Sequence, residues 1–202
     1  MNPPAAMLTR LADAIPAVLK TQGAALLAVA VLQIGILGVM LSRQLILLKS
    51  GREIVLKTTP VDPRDFFKGD FARLGYDIST IPKELISPLA LKPKDQAFVT
   101  LSQDADGVWR VAKLNITYPP VIAANEVVLR ARSGEFSGWD AFAPRVRYGI
   151  ERYYVPEGTG QDIEKLARDH RLEVIVSVGA NGDAAIKGLA VDGKRVYDEP
   201  LY

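Results

Sequence analysis

From Gly23 to Leu41 the chain reads GAALLAVAVLQIGILGVML, an apolar run with a single strongly polar side chain, Gln33. About 18 to 20 such residues at about 1.5 Å each make a helix as long as a bilayer's hydrocarbon core is thick, which predicts a transmembrane helix over 23–42. A signal peptide is the competing reading, but its apolar region is normally about 7–15 residues and ends in a small-residue cleavage site. Here the run passes into Ser42, Arg43 and the Leu45–Leu48 stretch. Upstream, Met7, Leu8, Leu11, Ile15, Val18 and Leu19 recur at helical spacing with Arg10, Asp13 and Lys20 among them. That pattern suits a short interfacial helix that Pro16 bends or interrupts, or equally a frayed tail, over residues 1–22.

After Ser50 the apolar spacing becomes alternating. Strands are expected over Glu53–Thr58, Phe71–Ser79, Ala97–Gln103, Val108–Thr117, Glu126–Arg132, Arg145–Val155, Leu172–Val178, Ala185–Val191 and Arg195–Tyr197. Turn chemistry separates them: Asp104-Ala105-Asp106-Gly107 predicts a hairpin, and Asn181-Gly182-Asp183 and Asp192-Gly193 two tighter turns. One soluble helix follows Thr159, with Ile163, Leu166 and Ala167 on its apolar face and Arg168, His170 and Arg171 near its C-terminus. The expected fold is mainly β, an antiparallel sheet or barrel-like domain with one short soluble helix, behind a single N-terminal transmembrane helix. Its parts are an interfacial or cytoplasmic segment 1–22, the span 23–42, a juxtamembrane linker 43–52 and a β-rich domain 53–202.

Composition removes several chemistries. No cysteine is present, which excludes disulfides, thiol nucleophiles and thiolate metal sites, and His170 is the single histidine. Charge is nearly balanced, 25 basic against 23 acidic side chains, so nothing calls for nucleic acid as a partner. No cofactor or metal site is expected. The pairs Asp104/Asp106 and Asp62/Asp65 fall in turn-like sequence, where aspartate bonds nearby amides, and neither completes a calcium loop.

The segment PVDPRDFFKGDFARLGYDIS, Pro60 to Ser79, resembles the signature of a bacterial family named for its motif, GDYxxLxY. The defined positions here are Gly69, Asp70, Phe71, Leu74 and Tyr76, with phenylalanine replacing the motif's first tyrosine. A second stretch, RYGIERYYVPEG from Arg147 to Gly158, and the ending AAIKGLAVDGKRVYDE are similar as well. The resemblance implies a membrane-anchored bacterial protein with an extracytoplasmic domain, associated with a polytopic integral membrane partner. It supplies no catalytic residues. It also carries the orientation: Arg10 and Lys20 precede the span while Arg43, Lys49, Arg52 and Lys57 follow it, so charge alone points weakly toward a cytoplasmic domain. The resemblance instead implies an inner-membrane, single-pass protein with a cytoplasmic N-terminus and a periplasmic C-terminal domain.

Physically, the motif reads as architecture. On a strand Ala72, Leu74, Tyr76 and Ile78 share one face, and Gly69-Asp70 forms a turn before it. Polar members of the two segments, Arg73, Arg147, Glu151, Arg152 and Glu157, are the candidate binding surface, and Ala28, Gln33, Gly35 and Gly38 the candidate helix contact. The expected function is that of a noncatalytic accessory or interaction protein working with an integral membrane partner. Two alternatives stand beside it. A signal-peptidase-like serine protease needs a serine near the membrane, Ser42 or Ser50, and a buried neutral lysine. A periplasmic ligand-binding module needs a pocket lined by both segments.

Overall fold

The computed structural model describes residues 5–60, 71–89, 91–134, 145–154 and 160–198. The chain divides into two compact units, Met1–Gln44 and Leu45–Tyr202. One helix, α1 (Ala5–Ser50), forms nearly all of the first and contributes its last turns to the second. It runs unbroken through Pro16, where a bend or interruption was expected. From Gly23 to Gln44 every residue of it is exposed. This helix is long and apolar enough to cross a membrane, and as an N-terminal apolar helix it also fits a signal sequence.

The second unit is mainly β, and every strand pair in it is antiparallel. Its strands are β1 (Arg52–Thr59), β2 (Phe71–Arg73), β3 (Gly75–Tyr76), β4 (Gln96–Gln103), β5 (Trp109–Asn115), β6 (Glu126–Ser133), β7 (Val146–Arg147), β8 (Arg152–Tyr154), β9 (Leu172–Val178), β10 (Ala184–Val191) and β11 (Lys194–Asp198). A five-stranded sheet has the order β11-β10-β9-β1-β3, a four-stranded sheet the order β5-β4-β6-β7, and β2 with β8 makes a separate ribbon. Among the described residues the strands are accompanied by two α-helices, the single turn α2 (Lys83–Ile86) and the expected soluble helix, α3 (Gly160–Arg168).

Alternation places the core between the sheets. Ile54 and Leu56 of β1, Val174 and Val176 of β9, Val99 and Leu101 of β4, and Val127 and Leu129 of β6 are all buried in one apolar cluster. The hairpins follow their turn residues. Gly107 has φ +78°, and Asp192 and Gly193 have φ +50° and +76°, the pair of left-handed residues that a tight two-residue hairpin requires. Helix α3 ends with the Arg171 amide donating to the Leu166 carbonyl and His170 in the left-handed conformation, φ +56°. The lone histidine therefore stands just past the helix C-terminus in a capping turn.

Between α1 and β1 the turn is made by Gly51. A Cβ there would stand 2.2 Å from Ser177 Oγ and 2.6 Å from the Leu47 carbonyl oxygen, closer than any side chain tolerates. Ser177 Oγ donates to that same carbonyl at 2.6 Å, and Leu48 is buried, so the end of α1 belongs to the β unit's own packing.

Candidate functional site

Both motif segments were expected as single strands, and both break. Over Phe71–Ser79 the first part, β2, pairs with β8, placing Ala72 opposite Tyr153 and Arg73 opposite Arg152. At Leu74 the ladder changes partner: its amide donates to the Glu151 carbonyl at 3.0 Å, and Gly75-Tyr76 then joins β1, with Tyr76 opposite Thr58. A 3-10 turn, Asp77–Ser79, follows. Inward alternation survives the switch, since Ala72, Leu74, Tyr76 and Ile78 are all buried.

The second segment, expected as one strand over Arg145–Val155, is interrupted between β7 and β8 by a turn centred on Gly149, φ +86°. The Glu151 carboxylate closes that turn, accepting from the Tyr148 amide at 2.5 Å and the Gly149 amide at 2.9 Å. A side chain thus supplies what the ladder supplies elsewhere.

These two broken strands clasp each other. Tyr76 Oη donates to the Ile150 carbonyl at 2.8 Å, and Tyr148 Oη donates to the Ile78 carbonyl at 2.5 Å. Each tyrosine reaches the isoleucine two residues beyond the other, so Tyr76-Asp77-Ile78 and Tyr148-Gly149-Ile150 exchange the same contact. Burial pushes both phenols well above the ordinary tyrosine pKa, and the nearby Glu151 charge adds to the shift. Both hydroxyls are committed, protonated donors. The third family-like segment joins here too, because the Tyr197 ring of β11 packs edge-on against Tyr153 of β8, centroids 5.7 Å apart.

Among the polar candidates, register sets Arg73 opposite Arg152, with Glu151 next in the chain. Arg147 is instead opposite Arg132 in the four-stranded sheet. Gly69, Asp70 and Glu157 lie outside the described residues, as do Thr159, Asp62 and Asp65, and Phe71 is placed by its backbone alone. Leu74 and Tyr76 are 2 % and 3 % exposed, so these two motif residues are core residues.

A cleft of about 310 Å³ opens beside the first half of the clasp, lined by Lys57, Asp77, Ile78, Asp106, Trp109 and Glu173 among others. It takes two residues from the first segment and none from the second, so it is not the pocket of both segments that a ligand-binding module led us to expect. Nothing in the local sequence singles out its lining, which comes from strands and turns far apart in the chain. Asp106 sits there as part of a hairpin turn. Its neighbour Asp104 accepts the Asp106 and Val108 amides, and the Arg110 guanidinium, bonded at 2.8 Å, holds the Asp104 carboxyl below its usual range.

The two serines near the apolar helix bond within it. Ser42 Oγ donates to the Val39 carbonyl at 3.0 Å and Ser50 Oγ to Ile46 at 2.7 Å. Ala28, Gln33, Gly35 and Gly38 are all exposed on α1. At about 100° per residue, Ala24, Ala28, Gly35 and Gly38 fall in one stripe and Gln33 on the opposite side of the helix. One neighbouring helix cannot use both.

A β-rich domain preceded by an apolar helix, with two clasped signature segments, defines the class of protein. The family model described as GDYXXLXY protein matches residues 33–189, and the chain belongs to that family. The match takes in both clasped segments and stops short of β11. No curated protein and no solved structure matches the chain.

Proposed function

We propose that this is a noncatalytic accessory protein of a bacterial inner membrane, single-pass, with a cytoplasmic N-terminus and a periplasmic β domain, acting with an integral membrane partner. The observation that carries the reading is the uncovered helix from Gly23 to Gln44, where every residue is exposed. Fully burying one large apolar side chain is worth about 1.5–3 kcal/mol, so such a surface requires lipid or other helices around it. Retention of the helix, against cleavage as a signal sequence, is supported at its far end: Leu47 and Leu48 are packed and bonded into the β unit. The interaction role is supported by the clasp, which commits the tyrosines of both signature segments to backbone carbonyls. The stripe of Ala24, Ala28, Gly35 and Gly38 is the surface on which another helix would approach closely.

Copurification of the full chain from membranes in mild detergent is the test. A stoichiometric polytopic protein is expected, lost on Gly35→Leu with Gly38→Leu and kept on Gln33→Leu. Recovery of the chain alone from the membrane fraction would overturn the partner. Orientation is read separately, by protease added to spheroplasts, which should digest the β domain and spare the N-terminal segment.

A further inference from the structure

Turns of the β unit are polar at Asp104–Gly107, Asn181–Asp183 and Asp192–Gly193, but the connection from β5 to β6 is not. Ile116 to Ala124 reads ITYPPVIAA, without a charge, and Ile116, Val121 and Ile122 are 55 %, 82 % and 37 % exposed. This segment is also well held. β5 and β6 are both antiparallel to β4, so they run parallel to each other and the connection must cross β4. It does so with the Tyr118 ring edge-on to Phe98, centroids 5.5 Å apart, and with the Asn125 carbonyl accepting from the Gln103 amide at 3.1 Å.

Its second end is tied to the start of the domain. The Arg52 guanidinium donates to the Ala124 and Glu126 carbonyls, both at 2.8 Å, and lies 5.5 Å from the centre of the Trp109 ring. Arg52 is the second residue after α1 ends at Ser50. Val121 is three residues before Ala124, so it lies within about 11 Å of that tie. The second end of the crossover therefore lies beside the point where the chain leaves α1 and enters the β unit. Lys49, exposed on the last turn before Arg52, adds the positive charge that interfacial segments use toward anionic headgroups.

We infer that the crossover Ile116–Asn125 is a second membrane contact, with Val121 and Ile122 seated in the interfacial layer of the same bilayer that the helix crosses. The inference rests on the proposal that the helix spans a membrane. Apolar side chains at that depth are removed from water while the crossover backbone keeps its bonds to β4 and Arg52. The domain would then be held at two points, the helix and the crossover, which restricts its tilt.

Because the chain has no cysteine, single-cysteine variants carry one label each. Full-length Val121→Cys, Leu37→Cys and Asp169→Cys are labelled with an environment-sensitive fluorophore and reconstituted in phosphatidylethanolamine–phosphatidylglycerol vesicles containing lipids spin-labelled near the headgroup and along the chain. Asp169 is exposed beyond α3, near the start of β9, where Glu173 pairs with Lys57 at the far end of β1 from Arg52. Expected are strong quenching of Leu37→Cys by chain labels, of Val121→Cys by the shallow labels, and severalfold less quenching of Asp169→Cys by either. Quenching at Leu37 with Val121→Cys no different from Asp169→Cys would overturn the crossover contact and leave the span standing. A blue-shifted label at Val121 that no spin-labelled lipid quenches would overturn it in favour of a protein surface. Absence of quenching at all three positions would overturn the span, and the crossover contact with it.

Discussion

Tyr76 stands on β3 of the five-stranded sheet and Tyr148 just past β7 of the four-stranded one, yet each hydroxyl takes the same kind of acceptor in the other's segment. What differs is how each tyrosine is held. Tyr76 is paired through its backbone with Thr58 of β1, and the Leu74 amide before it is bonded to the Glu151 carbonyl. Tyr148 lies in a turn whose two leading amides are held by a single carboxylate, that of Glu151. The first half of the clasp is secured by main chain, which no single side-chain replacement removes. The second half depends on one residue.

Leu74→Ala tests the shared foundation and has the largest expected effect, a loss of about 2–5 kcal/mol from the cavity it leaves. Denaturant unfolding of the full chain in detergent, followed by a β-sheet signal, reads it. Next come the hydroxyls: Tyr76→Phe and Tyr148→Phe each strand a buried carbonyl and should cost about 1–3 kcal/mol. In a double-mutant cycle the pair should couple by about 0.5 kcal/mol or more, and strict additivity would break the idea of a reciprocal unit. Glu151→Ala frees two amides and should cost about 1–2 kcal/mol, with Glu151→Gln costing less because one acceptor oxygen remains. In the Glu151→Ala background, Tyr148→Phe should lose most of its effect while Tyr76→Phe keeps its own. Equal losses would erase the asymmetry drawn above.

Alkaline titration sharpens the same comparison. Both folded phenols have pKa values raised above that of an unfolded tyrosine, about 10, so the unfolded chain releases protons there and the folded one does not. The contribution is complete below about pH 10 and declines as pH rises, by about 1.4 kcal/mol per pH unit for each tyrosine. The Phe double variant should flatten that decline. Smallest of all is Arg171→Ala, which removes an exposed pair with Asp192 and should leave the melting temperature unchanged within error.

Alternation along the chain located most strands to within a residue or two, because one buried face and one wet face leave a period of two. It also put Leu74 and Tyr76 on a common inward face. The breaks at Leu74 and Gly149 were not legible, since they arise from a change of hydrogen-bonding partner and a carboxylate reaching back along its own chain. Nor was the clasp, because a single sequence does not say which strands pair. The opposition of Gln33 to the small-residue stripe follows from helical geometry alone. The tie from Arg52 to Ala124 left no local trace, as it joins positions whose sequences show only an arginine and an alanine.

The pairing of β1 bears on how the chain is made. Arg52 opens β1 and is opposite Val178 near the end of the described chain, while β3, at the other edge of β1, covers only Thr58 and Thr59. During synthesis the first strand of the domain emerges directly after the apolar helix and must wait for most of the chain before its principal partner exists. Contacts of such long sequence separation form slowly, and an unpaired strand edge invites aggregation. On the growing chain the residues between Arg52 and Thr59 are thus the ones most in need of shelter, and a chaperone or other protein that shields them would act on yield before it acted on anything the finished protein does.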